Sequence, residues 1–213
     1  MTAVDRRFAA ALVLYLLALA VLPLALSEPA FEAFFSEEGP VEIGAMLLWC
    51  AAGAIVLLRI RPLGTRAWAF ALLYFAFAAR EAELHRAFTA DSMLKSAYYR
   101  RVPAPLAEKL IAGLVAIALL VLLAYVLWIV VRFLWKERGW RTRSGAWLLV
   151  GMALLVGAKL LDRAPAVLAE DFDLVLSPLV KQYASAFEEG IEAALPLILA
   201  FSAWIEGTRR HYL

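Results

Sequence analysis

The chain has 213 residues, of which 64% are hydrophobic and 19% are charged, and its formal net charge is +2. A soluble globular domain is typically about 45–50% apolar and about 25% charged. The composition therefore argues against a soluble enzyme, a disordered chain and a nucleic-acid-binding protein. Uncharged apolar runs recur along the sequence, which predicts a single all-α, polytopic membrane domain over residues 1–213.

Six segments are predicted to cross the membrane, at residues 8–26, 40–60, 67–87, 108–132, 146–164 and 186–206. The first contains 19 uncharged residues, more than the apolar core of a cleaved signal peptide, so it is predicted to be a retained transmembrane helix. The third, fifth and sixth contain only 13 consecutive uncharged residues each. Such a run is about 20 Å long, against a hydrocarbon core of about 30 Å. Charged turns at the ends of these three helices are therefore expected within the edge of the membrane.

The distribution of charge predicts the orientation of the segments. If the N-terminus is cytoplasmic, the cytoplasmic parts hold 12 of the 21 basic residues but only 3 of the 19 acidic ones. The basic residues counted are Arg6, Arg7, Arg59, Arg61, Arg66, Arg132, Lys136, Arg138, Arg141, Arg143, Arg209 and Arg210. Positive charge accumulates in cytoplasmic loops. The sequence thus predicts an inner-membrane protein with both termini cytoplasmic.

This alternation brings acidic groups from four segments to the extracytoplasmic side. Glu81 and His85 are one helical turn apart, as are Glu188 and Glu192, so each pair is expected on one helix face. Ionisable groups within a membrane usually face the interior of the bundle. The predicted metal ligands are Glu42, Glu81, His85, Asp162, Glu188 and Glu192.

Carboxylates with one imidazole suit a divalent metal ion such as Fe, Mn or Zn, and helical bundles build di-iron sites from similar groups. Glu83 and Glu189 lie off the predicted ligand face and are candidate general bases. Together these residues predict a metal-dependent enzyme, a hydrolase or an oxidoreductase. Its substrate would be lipid-like or delivered by the membrane, and its site would face the extracytoplasmic side.

Two other functions use the same carboxylates. A cation or proton transporter would employ them as a binding relay, although the cytoplasmic halves of the third, fifth and sixth segments offer almost no polar groups to continue the path. A non-catalytic scaffold would instead pair them in a salt-bridge network. The cations at similar depth are Arg80, Arg86, Lys109, Lys159 and Arg163.

Segments 30–35, 88–99 and 172–187 mix aromatic and charged residues and are predicted to form short helices in the outer membrane interface. Such segments could let a lipid approach the site sideways, so membrane lipid is the expected partner.

The adjacent Glu188 and Glu189 resemble the paired glutamates of the intramembrane proteases related to CAAX processing, but Ala193 stands where that motif has arginine. The membrane hydrolases of the ceramidase and adiponectin-receptor type use three histidines, and His85 is the one histidine within the predicted segments. Each resemblance is confined to a few residues, so no residue role is taken from either family.

Overall fold

The structure, a computed structural model, describes residues 2–36, 38–61, 63–89 and 91–210, without the side chains of 208–210. Its α-helices in chain order are α1 (Ala3–Ala25), α2 (Glu28–Phe34), α3 (Pro40–Arg59), α4 (Thr65–Glu81), α5 (Leu84–Ala87), α6 (Ser96–Arg101), α7 (Leu106–Trp135), α8 (Arg143–Phe172) and α9 (Pro178–Arg210). A 3-10 turn at Gly139–Arg141 precedes α8. The all-α prediction is confirmed.

Within the described residues, α1, α3, α7, α8 and α9 are each long and apolar enough to cross a membrane. The prediction of a multi-pass membrane protein is confirmed at this level. The predicted third crossing corresponds to α4, which has 17 residues and is therefore about 25 Å long. This length falls short of the usual span of about 20 residues.

Three helix boundaries differ from the predicted ones. The predicted range 67–87 is interrupted, because α4 ends at Glu81 and Glu83 adopts a left-handed backbone conformation with φ of 53°. By contrast, α8 continues through Pro165 as far as Phe172, and α9 already begins at Pro178. The predicted interfacial helix at 172–187 was therefore wrong, because most of that range belongs to the two long helices.

The centre of the bundle is α9, which packs against α8, α3 and α1, while α4 packs between α3 and α7. Small residues allow the close approach. Gly151 of α8 faces Leu199, and Gly190 of α9 lies against Leu19 of α1 with no room for a side chain. Small residues at helix contacts are typical of membrane bundles, where van der Waals packing drives association.

The bundle has two chemically distinct ends. We call one the acidic end, where α4 and α8 finish and α3, α7 and α9 begin. The opposite end, the basic end, contains the start of α1, α4 and α8 and the finish of α3, α7 and α9. Consecutive long helices thus run in opposite directions, with α4 antiparallel to both α3 and α7.

A buried ion pair ties α1 to α8 at the basic end. The guanidinium of Arg143 donates to both carboxylate oxygens of Asp5, at 2.9 and 2.8 Å. The backbone N–H of Thr2 and the indole of Trp147 also donate to Asp5, whose side chain is only 1% exposed. The carboxylate is therefore well compensated for its removal from water, as a buried charge requires.

Replacing Arg143 with alanine should destabilise the protein by about 3 kcal/mol, because the Asp5 carboxylate, only 1% exposed, would lose its cation and remain buried as an uncompensated charge. The measurement is the free energy of unfolding in detergent micelles. Glu137→Ala is the matched control: Glu137 lies 3.9 Å from Arg66 and both side chains are about 40% exposed, so the cost should stay below about 1 kcal/mol. Equal losses in both variants would contradict the assignment.

Candidate functional site

Two carboxyl groups meet at the acidic end, between α3 and α4. Glu42 lies in the first turn of α3 and Glu81 is the last residue of α4, and their side chains are within interaction range of each other. Together with Glu38 and Glu83 they line a pocket of about 390 Å³, which we call the acidic pocket. Four glutamates around one concave surface focus a negative potential there.

A second charged contact joins α8 to α9 in the interior of the same end. Lys159 Nζ lies 2.5 Å from Oε1 of Glu192, whose side chain is 19% exposed. Glu189, one turn before Glu192, is within electrostatic range of both Glu192 and Glu81. Glu189 and Glu192 of α9 therefore lie between Lys159 of α8 and the carboxyl groups of Glu42 and Glu81.

Two cations partly neutralise these carboxylates. Arg80 Nη1 lies 3.9 Å from Glu81, and a cavity of about 120 Å³ is lined by Arg80, Glu81, Lys159 and Glu192. We call the following six residues the charged cluster: Glu42, Arg80, Glu81, Lys159, Glu189 and Glu192. Four carboxylates and two cations give a formal charge of −2 if every group is ionised. Repulsion between the excess carboxylates in such a cluster favours the uptake of protons or cations.

The structure separates His85 from the predicted ligand set. Glu81 and His85 would share a face of one continuous helix, but the chain turns at Ala82 and Glu83, and His85 belongs to α5. The prediction of a common helix face was therefore wrong. Glu83 instead lines the acidic pocket and pairs with Arg86 at 2.8 Å.

The last two predicted ligands lie at the border of the charged cluster. Glu188 is within electrostatic range of Asp162, Glu192 and Lys159. Asp162 is 40% exposed and lies 3.8 Å from Arg163. Within the described part of the chain, no three His, Cys, Asp or Glu side chains are arranged so that they could hold a metal ion. The metal ligands and the two general bases therefore stay predictions.

A cavity of about 110 Å³ lies at the basic end, between α3, α4, α7, α8 and α9, and its wall is mostly apolar with a few polar side chains. Two buried serines form its hydrogen-bonded wall: Ser202 Oγ donates to the carbonyl of Ser144 at 2.8 Å, and Ser144 Oγ donates to Glu206 at 2.8 Å. Tyr74 and Leu199 also line this cavity. Ser144 precedes the predicted fifth crossing and Glu206 ends the predicted sixth, so the expectation that the cytoplasmic halves of these helices offer few polar groups stays a prediction.

One side chain is shared by this cavity and the cavity of the charged cluster. Leu199 of α9 lines both the cavity at the basic end and the cavity beside Lys159 and Glu192. Aromatic rings pack at the same level, since Trp49 lies against Tyr74 and Phe77 with ring centroids 5.4 and 4.8 Å apart. The two cavities, each with mostly apolar walls, thus meet at an apolar layer in the middle of the bundle.

An apolar groove of about 650 Å³ lies on the other side of the end of α4, between α4, α5 and α7, and we call it the lateral groove. Its lining residues are Ala76, Ala79, Arg80, Leu84, His85, Phe88, Thr89, Met93, Leu94, Glu108, Ile111, Ala112, Val115 and Leu119. Several of them, such as Phe88 and Ile111, are largely exposed, so the groove opens at the surface of the bundle.

The loop above the lateral groove is anchored by two tyrosines of α6. Tyr98 is fully buried and donates to Glu108 at 2.6 Å, while Tyr99 donates to the carbonyl of Met93 at 2.7 Å. Burial, followed by the hydrogen bond to the Glu108 carboxylate, raises the pKa of the Tyr98 phenol to about 12. The phenol therefore stays protonated and holds α6 against the start of α7 at neutral pH.

Two features escaped the sequence reasoning. The ion pair between Asp5 and Arg143 could have been found, because the predicted topology places both residues at the same depth with opposite charge. The cavity at the basic end had no such signal, since isolated serines such as Ser144 and Ser202 are common in helices and carry no spacing pattern.

Comparison of the chain with known proteins gave no match to a protein-family model, to a curated protein or to a solved structure.

Proposed function

We propose that the protein is a six-helix inner-membrane protein with cytoplasmic termini and an extracytoplasmic acidic end. The antiparallel course of α4 between α3 and α7 supports counting it as a crossing. The concentration of arginine and lysine at the basic end supports the orientation. Because α4 is short, the charged groups at its acidic end would lie within the edge of the membrane. Partners within the bundle offset the cost of placing them there, as Arg80 and Glu42 do for Glu81.

We propose that this protein moves protons, or another small cation, across the membrane between the charged cluster and the polar side chains of the cavity at the basic end. The observation that carries the proposal is the position of Leu199, which lines both cavities. Intramembrane carboxylates on a path between two sides commonly serve as ion or proton relays. A scaffold held together by charge would need the cluster but not the cavity at the opposite end.

The charged cluster supplies the exchangeable sites. The carboxyl groups of Glu42 and Glu81 line the same pocket, and two neighbouring carboxyl groups favour holding a proton between them. On the path inward, Lys159 and Glu192 form the next acid–base pair. Beyond Leu199, the Ser144 and Glu206 side chains continue the chain of hydrogen-bonding groups toward the basic end.

Transfer requires the apolar layer to open, and α9 contains a place where it could bend. Pro196 is buried within α9 and cannot donate a backbone hydrogen bond to the residue one turn earlier, Glu192. Prolines within helices are sites of bending. A change of angle at Pro196 would shift Leu199 relative to the two cavities while Glu192 stays with Lys159.

We expect proton flux into liposomes that contain the purified protein, driven by a membrane potential and followed with a pH-sensitive dye. Glu81→Gln should reduce the flux at least roughly tenfold, because a neutral amide cannot exchange the proton (tenfold corresponds to about 1.4 kcal/mol). Leu199→Trp should block it by filling the space between the cavities.

The matched control for the second variant is Leu197→Trp, since Leu197 lies two residues away on α9 and is 46% exposed. Its flux should equal that of the wild-type protein. Flux no greater than that of empty liposomes, with potassium or sodium ions also tested, would contradict the proposal. So would equal flux in the Leu199 and Leu197 variants.

A second candidate function is the predicted metal-dependent enzyme acting on a lipid-like substrate. The observation that favours it is the end of α4, which separates the acidic pocket from the lateral groove, so an ion and an apolar chain could lie on adjacent sides. His85 lines the groove rather than the acidic pocket. The pocket therefore offers oxygen donors only, and among the predicted metals Mn²⁺ fits better than Fe²⁺ or Zn²⁺, with Mg²⁺ and Ca²⁺ also suitable.

The enzyme candidate predicts about one divalent ion per chain in protein purified with metal supplementation, measured by elemental analysis. Glu81→Ala should lose this ion because Glu81 lines the acidic pocket, whereas His85→Ala should retain it. Absence of metal from the wild-type protein would reject the enzyme candidate and leave proton transfer unaffected.

A further inference from the structure

The lateral groove exists because α4 and α7 pack at only one end. Toward the basic end, Ala69 and Leu73 of α4 pack closely on Val126, Val130 and Leu134 of α7. Toward the acidic end the two helices diverge, and the wall of the groove on α4 consists of small residues, Ala76 and Ala79. Within a bilayer, an apolar space of this size that opens sideways will be filled by lipid chains, because an unfilled space forfeits van der Waals contacts.

The polar end of the groove differs in charge from the rest of the acidic end. Residues 84–109, which cover it, contain five basic residues (Arg86, Lys95, Arg100, Arg101 and Lys109) and two acidic ones (Asp91 and Glu108). By contrast, residues 27–42 contain five acidic residues and no basic one. The segment next to the groove therefore has a local excess of positive charge, and the ionisable residues that line the groove itself are Arg80, His85 and Glu108.

Two side chains at this end can face a ligand. Arg80 lines the groove with a side chain that is 48% exposed and only a long contact of 3.9 Å to Glu81. His85 also lines the groove, and its Nδ1 atom is buried with no hydrogen-bond partner among the described residues. A buried polar atom without a partner is costly unless a ligand or water supplies one.

We propose that the lateral groove binds an anionic phospholipid, with one acyl chain against Ala76, Ala79 and Val115 and the phosphate beside Arg80 and His85. The occupant follows from the apolar walls, the opening toward the bilayer and the positive charge at the polar end. The lipid site shares Arg80 with the charged cluster, but lipid binding does not require cation transfer. The proposal goes beyond the general expectation of a membrane-lipid partner by assigning the headgroup charge and the residues that recognise it.

The test is native mass spectrometry of the full-length protein in mild detergent with an equimolar mixture of phosphatidylglycerol and phosphatidylcholine. We expect the wild-type protein to retain phosphatidylglycerol in preference to phosphatidylcholine. Ala79→Phe should lose the bound lipid because the ring fills the groove. Ala118→Phe is the matched control, since Ala118 lies exposed on α7 outside the groove, and it should retain the lipid.

The headgroup contact is tested by His85→Gln, which should retain a lipid but prefer phosphatidylglycerol less strongly. Arg86→Gln is its control, because Arg86 does not line the groove and pairs with Glu83. Equal retention of the two lipids by the wild-type protein, or equal lipid loss in the Ala79 and Ala118 variants, would overturn the proposal.

A measurement on the wild-type protein covers the case in which Ala79→Phe fails to fold. Phosphatidylglycerol with a photoactivatable acyl chain should crosslink to residues that line the groove, on α4 and on the facing side of α7. Crosslinks confined to the other exposed faces of the bundle would overturn the proposal.

Discussion

Charge cannot be buried in a membrane without a partner, and this constraint organises the acidic end of the bundle. Taking a carboxylate and an ammonium out of water costs several kcal/mol per ion unless their contact and hydrogen bonds compensate. Lys159 and Glu192 meet this requirement across α8 and α9. Glu81 has Arg80 as its counterion, at 3.9 Å. The helices are therefore positioned by the same groups that form the candidate site.

The proposed cation transfer depends on the negative charge that remains in this cluster. Four carboxylates face two cations, so complete neutralisation needs protons or bound cations. The central helix α9 extends from the charged cluster to the opposite end of the bundle. It contributes Glu192 to the cluster, Leu199 to the apolar layer and Ser202 to the cavity at the basic end. A local rearrangement of α9 would therefore change side-chain positions at both ends of the bundle.

The helical membrane architecture was predictable because long apolar runs have few structural alternatives. The convergence of Glu42, Glu81, Glu189 and Glu192 was also predictable, since alternating helices bring their charged ends to common depths. The position of His85 was not predictable. A spacing of four residues implies a common helix face only where the helix continues, and the left-handed turn occurs at Glu83, not at a glycine that would have indicated it. Likewise, the full length of α8 was not predicted, because Pro165 and the charged residues after it indicated that the helix ends there.

Labelling of cysteines that flank α4 measures directly whether this helix crosses the membrane, on which the common depth of the carboxylates depends. In a Cys50→Ala background, Leu63→Cys and Lys95→Cys place one exposed thiol on each side of α4, and neither position lines the lateral groove. With a membrane-impermeant thiol reagent applied to intact cells, we expect Lys95→Cys to react and Leu63→Cys to react only after permeabilisation. Reaction of both positions from the same side would contradict the six-helix arrangement.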